Sequence, residues 1–185
     1  MLVLASRSPR RSEILRQAGI PFVVRSAEVD ETPLGHEPPR EYVERLAEAK
    51  ARAVGDAPGE IVLGADTTVV IDGAMLGKPE DAADAHRMLR LLSGKRHDVL
   101  SGICLRKGSK TVRDCAATAV WFRALSDREI DDYIASGEPW DKAGAYAIQG
   151  LASKYIEKIE GCYFNVVGLP VALVYRRLQE LEPCL

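Results

Sequence analysis

Residues Ile61–Ile71, IVLGADTTVVI, are the strongest strand signal in the chain: apolar and β-branched side chains fill the segment. Asp72-Gly73, a dipeptide favoured in tight hairpins, follows directly. Alternation along such a strand leaves at most one face wet, yet Asp66 stands in its middle. A carboxylate in a mostly buried strand is paired, bound to a metal or protonated, because an isolated charge is costly to take out of water. The bland alternative is that Gly64-Ala65 bend the strand and Asp66 caps a neighbouring turn.

Strand and helix patterns are mixed on either side. Leu2 to Ala5 reads as a short buried strand. A helix follows with Ser8 as N-cap, Pro9 in the first helical position, and Ile14, Leu15 and Ala18 as its apolar stripe. Phe22-Val23-Val24 reads as a strand, and SAEVDET as an acidic loop. Pro38-Pro39 opens a helix to about Val54, with Val43, Leu46 and Ala53 on one side and Lys50 on or beside that stripe. PEDAADAHRMLRLLSG is a helix pattern with Leu89 and Leu92 inward, and HDVLSGICL and TVRDCAATAVWF form a hairpin around Lys107-Gly108-Ser109. Ser126 and Glu129 have capping-box spacing, which starts a helix near Asp127 that ends at Gly137. GEPWDKAGAYAIQG predicts an ordered loop ending in a short strand, SKYIEKIEGCYFNVV adds strand material, and Pro170 starts a last helix with Val171, Val174 and Leu178 inward. The expected fold is α/β, a mixed twisted sheet flanked by helices. At 185 residues the chain is the size of one domain, 1–185, with room for two lobes.

Composition excludes several classes. Hydrophobic residues make up 46% of the chain, so it is neither disordered nor collagen-like. Twenty-five basic against 27 acidic side chains leave a net charge of −2, without the basic excess of a general nucleic-acid or anionic-membrane binder. Any anionic partner is therefore held by local positive charge. Cys104, Cys115, Cys162 and Cys184 form no C-x-x-C pair, which fits reduced thiols. The apolar run before Ser6 is too short for a signal-peptide core and no run reaches membrane-spanning length, so a soluble, cytoplasmic protein is expected.

LASRSPRRSEIL carries the second anomaly. Arg10 and Arg11 fall in the first turn of a helix, where the macrodipole disfavours cations by a few tenths to about 1 kcal/mol each. Free N–H groups at a helix start and two guanidiniums suit an anion, since arginine grips phosphate with two parallel hydrogen bonds. The alternative is exposed arginines paired with Glu13 or with aspartates elsewhere. Lys50 and Lys78 are weaker signals, each alone indistinguishable from solvated surface. GAMLGKP superficially resembles a P-loop and fails as one, with too few residues between its glycines and Pro79 in place of the Ser/Thr. His36, His86 and His97 have no metal-ligand spacing and are expected at the surface or in the core. Asp30-Glu31 is a loop carboxylate pair, solvated by default, with the chemistry to complete a magnesium site or steady a lysine.

LASRSPRRSEIL resembles the S-x-S-P-R-R signature of the Maf proteins, nucleoside triphosphate pyrophosphatases. LAEAKARAV, VLGADTTVV, LGKP, MLRLLSGKRHDVLSGI, DKAGAYAIQG and NVVGLP fall in that family's order, nearly end to end. The resemblance implies a mixed α/β fold shared with the inosine-triphosphate pyrophosphatases, a homodimer, and hydrolysis of a nucleotide to its monophosphate and pyrophosphate with Mg²⁺ or Mn²⁺. It implies Asp66 as proton acceptor, with a metal-ligand role equally open. Ser6, Arg10, Arg11, Lys50 and Lys78 are implied as phosphate binders, and Arg10, Thr67 and Gln149 as specificity positions. Asp30 falls where the family tends to carry an acid, a candidate second metal ligand. DKAGAYAIQG has the form of the subgroup acting on dTTP and UTP, with Ala147 where that subgroup usually has glycine. The alternatives are a preference for 7-methyl-GTP or another nucleotide, or a regulator of cell division that binds nucleotides without hydrolysing them.

Overall fold

The computed structural model describes residues 1–55 and 57–182. In chain order the elements are β1 (Leu2–Leu4), α1 (Pro9–Gln17), β2 (Phe22–Val24), α2 (Pro39–Val54), β3 (Ile61–Ile71), β4 (Ala74–Leu76), α3 (Ala82–Leu92), β5 (Arg96–Lys107), β6 (Lys110–Phe122), α4 (Asp127–Ala135), β7 (Ile156–Glu160), α5 (Tyr163–Val167) and α6 (Val171–Leu181). Short 3-10 turns at Glu138–Asp141, Ala143–Ala145 and Leu151–Tyr155 fill the stretch between α4 and β7. The strands form one mixed sheet in the order β2-β1-β3-β5-β6-β7, with β4 paired to β3. β1 runs parallel to β2 and β3, whereas β4 is antiparallel to β3 and β7 to β6. The mixed α/β sheet expected from the sequence is the one observed.

Local chemistry explains most boundaries. Pro9 opens α1 at its first position and Ser8 occupies the N-cap, but the Ser8 hydroxyl makes no capping bond. Asp72 and Gly73 both take positive φ, 50° and 80°, the geometry of the tight β3–β4 hairpin. α4 carries both halves of its capping box: the Ser126 hydroxyl accepts from the Glu129 N–H, and the Glu129 carboxylate accepts from the Ser126 N–H.

Several expectations are corrected. The α2 stripe is Val43, Leu46, Ala47 and Ala51, while Ala53, on the Leu46 edge in the last turn, is exposed, because the buried face drifts along the helix from that edge toward Ala47 and Ala51. Ala18 is exposed at the end of α1, and Arg11 takes a buried place beside Ile14 and Leu15. Residues 137–150 contain no strand, and 163–167, expected as strand, form the short helix α5. Cys104, Cys115 and Cys162 carry free thiols, and Cys184 lies outside the described residues. Among the described residues no helix is long and apolar enough to cross a membrane.

The chain divides into two compact units. The first comprises Met1–Thr67, Ser101–Ala116 and Gly168–Leu185; Val3, Ala5, Ala47, Ala51, Val62 and Cys104 form a core cluster in it. The second comprises Thr68–Leu100 and Ala117–Val167, around a larger core that includes Val69, Leu89, Leu92, Val120, Phe122, Ile130, Tyr146 and Tyr155.

Candidate active site

In the first unit the strand order reverses at β1: β2 lies on one side and β3 on the other, both parallel to it. In open sheets of this kind, ligands bind beyond the carboxyl ends of the strands at such a reversal. β1 stops at Leu4, paired with Leu63, and β3 continues past it to Asp66 and Thr67. The helix α1 begins a few residues after the same strand end. The opening signature and the interrupted strand therefore meet in space.

α2 reaches this point because Gly64 lets it. A Cβ on Gly64 would lie 1.9 Å from the Ala47 carbonyl oxygen, and one on Gly102 would lie 2.4 Å from that of Val43. The helix backbone thus rests directly on β3 and β5. One turn beyond Ala47, Lys50 is set against Asp66, with Nζ 2.5 Å from Asp66 Oδ1 and 2.7 Å from Glu31 Oε1. One ammonium bridges two carboxylates.

Asp66 is buried, with 8% of its surface exposed. Burial pushes its carboxyl above the ordinary carboxylate range, against the pull of the Lys50 and Arg11 charges, and the Glu31 charge pushes in the same direction as burial. Arg11 is buried too and forms the other wall. Its Nε donates to the Gly168 carbonyl at 2.8 Å, Nη1 to Ser6 Oγ at 3.1 Å and to the Ala65 carbonyl at 2.7 Å, and Nη2 to Thr67 Oγ1 at 3.2 Å. Burial lowers its pKa from 12.5, an effect opposed by the Asp66 charge. With most of its five N–H donors engaged by protein acceptors, Arg11 supplies a fixed positive charge and shapes the site.

The other residues named from the sequence fall as follows. Ser6 is buried, and its hydroxyl accepts from Arg11 and from the Ser8 N–H at 3.2 Å. Thr67 Oγ1 lies 2.8 Å from Ser101 Oγ of β5. Arg10 is half-buried in the first turn of α1, close enough to Arg11 to disfavour its charge. Lys78 and Gln149 belong to the second unit and are exposed. There the Gly144 N–H donates to the Gly77 carbonyl at 2.9 Å, which ties the loop of Lys78 to the stretch that carries Gln149. Ala147 is not among the positive-φ residues, so alanine there brings no backbone strain.

Asp30 is exposed, and its carboxylate accepts from the Thr32 N–H at 2.9 Å. The acid beside Asp66 is instead its neighbour, Glu31. The sequence offered the pair but could not tell which member faces inward, since a loop has no periodicity to decide it. Ser101 and the Gly168 carbonyl also belong to the network. A small hydroxyl in the apolar strand HDVLSGICL was the available signal for Ser101, and a backbone carbonyl leaves none.

A divalent cation such as Mg²⁺ takes hard oxygen ligands, often one or two carboxylates completed by phosphate oxygens and water. Asp66 and Glu31, both already turned to one cation, supply such oxygens. Among the described residues no three His, Cys, Asp or Glu side chains gather into a ready metal cage. The two carboxylates could supply part of the ligand sphere of one hard divalent cation.

The family described as "Maf-like protein" matches residues 1–181. A protein of Anaeromyxobacter dehalogenans (strain 2CP-C) named "dTTP/UTP pyrophosphatase" is 55% identical over 175 residues, covering 92% of this chain and 89% of that protein. Relatives with the same name in Koribacter versatilis (strain Ellin345) and Bacillus cytotoxicus are 52% and 49% identical, over 96% and 97% of this chain and 93% and 95% of theirs. Among solved structures, the Ham1 protein of Staphylococcus aureus superposes with a TM-score of 0.57 at 14% identity, over 98% of this chain and 99% of that one, a likeness of fold alone.

Proposed function

The chain belongs to the Maf-like family, and from that premise we propose that it is a nucleoside triphosphate pyrophosphatase that hydrolyses dTTP and UTP to the nucleoside monophosphate and pyrophosphate. The observation that carries the reading is Asp66, a buried carboxylate paired with Lys50 and acted on by the charge of the buried Arg11 guanidinium.

The chemistry follows from that arrangement. A triphosphate brings about four negative charges, and Lys50, Arg10, Arg11 and the uncapped start of α1 offer positive potential to receive them. Lys50 exchanges its carboxylate partners for phosphate oxygens. A water oxygen adds to a phosphorus of the α–β anhydride and its proton passes to Asp66 Oδ1. The bridging oxygen then leaves with the other phosphorus, which yields monophosphate and pyrophosphate. An aspartate of ordinary pKa, about 3.9, is a weak base at neutral pH. The upward push of burial on Asp66 brings it closer to the pH at which a general base works best. Mg²⁺ or Mn²⁺ held by Asp66 and Glu31 would supply Lewis-acid charge that offsets the developing phosphate charge. Gln149 offers a donor and an acceptor side by side, matched to the O4/N3 edge of uracil and thymine.

Pyrophosphate release measured over dTTP, UTP, 7-methyl-GTP, dCTP and ATP, with Mg²⁺, with Mn²⁺ and with chelator, tests the reading. The expected result is metal-dependent turnover of dTTP and UTP above the rest, abolished in Asp66→Asn while that variant still binds nucleotide. Retention of most activity by Asp66→Asn would falsify the role given to this carboxylate.

A further inference from the structure

Between β2 and α2 the chain has no regular secondary structure over residues 25–38, and most of its side chains are exposed. Glu31 lies in this stretch with half of its side chain in solvent, yet its carboxylate reaches Lys50 at 2.7 Å. An ion pair with one partner half in solvent contributes little by itself and does not hold a loop in place. Something else must fix the backbone at residue 31.

Two side chains of α2 do so. The Tyr42 hydroxyl donates to the Glu31 carbonyl at 2.9 Å. Arg45 donates from Nη2 to the Thr32 carbonyl at 3.2 Å, and from Nε and Nη2 to the two carboxylate oxygens of Glu37 at 2.7 Å each. Its guanidinium also lies over the Tyr42 ring, 5.6 Å from the centroid, so the two clamps brace each other. Tyr42, Arg45 and Lys50 belong to one helix, and that helix is fixed to the sheet at Gly64 and Gly102. Burial, with the Asp66 and Glu31 charges nearby, raises the Tyr42 hydroxyl to about 12, so it stays a donor across the neutral range.

We propose that Tyr42 and Arg45 are positioning residues of the active site, which hold the backbone of residues 31 and 32 so that the Glu31 carboxylate meets Lys50 beside Asp66. This rests on the pyrophosphatase reading for its kinetic consequence, and on the geometry alone for its structural one. Tyr42→Phe keeps the ring under Arg45 and removes only the donor. Its kcat for dTTP is expected to fall about 3- to 10-fold, the range of one lost hydrogen bond, with KM within about twofold of the parent. Placed on Glu31→Gln, the same substitution is expected to cost no further activity, since the residue it positions is already disabled. Arg45→Gln should behave like Tyr42→Phe. Independently of turnover, amide hydrogen exchange over residues 30–34 should quicken in Tyr42→Phe while that of β3 is unchanged.

Wild-type kcat in Tyr42→Phe, multiplicative losses in the double variant, or unaltered exchange at residues 30–34 would each overturn the inference. A wild-type protein that releases no pyrophosphate overturns the functional reading instead, and the exchange measurement still decides whether the clamp exists.

Discussion

The fold disfavours the ionised form of Asp66. Its carboxyl is pushed upward although Lys50 and Arg11 pull it down, so desolvation outweighs its pairing. A carboxyl group whose folded pKa lies above its unfolded value favours the folded state when protonated, and that advantage disappears as pH rises through the folded pKa. Ionising Asp66 therefore costs the fold stability, a pattern common where a base is needed. Asp66→Asn should melt at a higher temperature than the wild type at pH 7 while turnover is abolished; a lower melting temperature would mean that the Lys50 pairing dominates. Arg11 is the opposite case. Its fork joins Ser6, Ala65, Thr67 and Gly168, segments far apart in the chain. Lysine has no such fork, so Arg11→Lys leaves buried carbonyls without donors. It should lower the urea-unfolding free energy by about 3 kcal/mol, a loss not expected at half-buried Arg10.

At the scale of elements, α2 is the carrier of the site: it presents Lys50, clamps the acidic loop through Tyr42 and Arg45, and lies flat on the sheet over two glycines. Gly64 has no unusual backbone angle, so its role is clearance alone. Gly64→Ala would set a methyl group 1.9 Å from Ala47 O and 2.9 Å from Ala51 N, atoms of helix backbone that cannot swing aside. The expected cost is about 3 kcal/mol of stability, together with loss of activity as Lys50 is lifted from Asp66. Gly19→Ala, strained by a φ of 68° but in open space, should cost about 1 kcal/mol and leave activity intact. Elements defined by local chemistry were legible in the sequence: Pro9 at the start of α1, the Asp72-Gly73 hairpin, the Ser126–Glu129 box, and β3 with its misplaced acid. Elements defined by tertiary contact were not. The Ala143–Ala145 turn depends on a non-glycine residue at φ 59°, Ala145, and on Gly144 pressed against Val69, neither of which has a local signature. Glu31 became distinguishable from Asp30 only through α2.

For the molecule as a whole, charge and core are divided between the two units. The acid–cation cluster around Asp66 lies in the first, and the second holds a buried histidine that takes no part in it. His97 is 1% exposed, with Nε2 2.8 Å from the Tyr146 hydroxyl, edge-on contacts to Phe122 and Tyr146, and Nδ1 buried without a hydrogen-bond partner. Burial, helped by the charge of Arg96, lowers its pKa from 6.5 to about 4. An unfolded histidine takes up its proton near 6.5 and the folded one only near 4, so between these values the unfolded state binds more protons and stability falls as pH is lowered. The full difference is about 3 kcal/mol. Glu60 and Glu129, both held at about 2 by arginine partners and backbone N–H groups, lose their contribution only between 4.5 and about 2, below most of the histidine window. Asp66 runs in the opposite direction and cannot produce the same loss. Urea unfolding at a series of pH values should therefore show stability declining from about pH 6.5 toward 4, and His97→Gln, which keeps a donor for Tyr146 but takes up no proton, should flatten that decline. An unchanged slope in the variant would assign the acid sensitivity to the carboxylates instead.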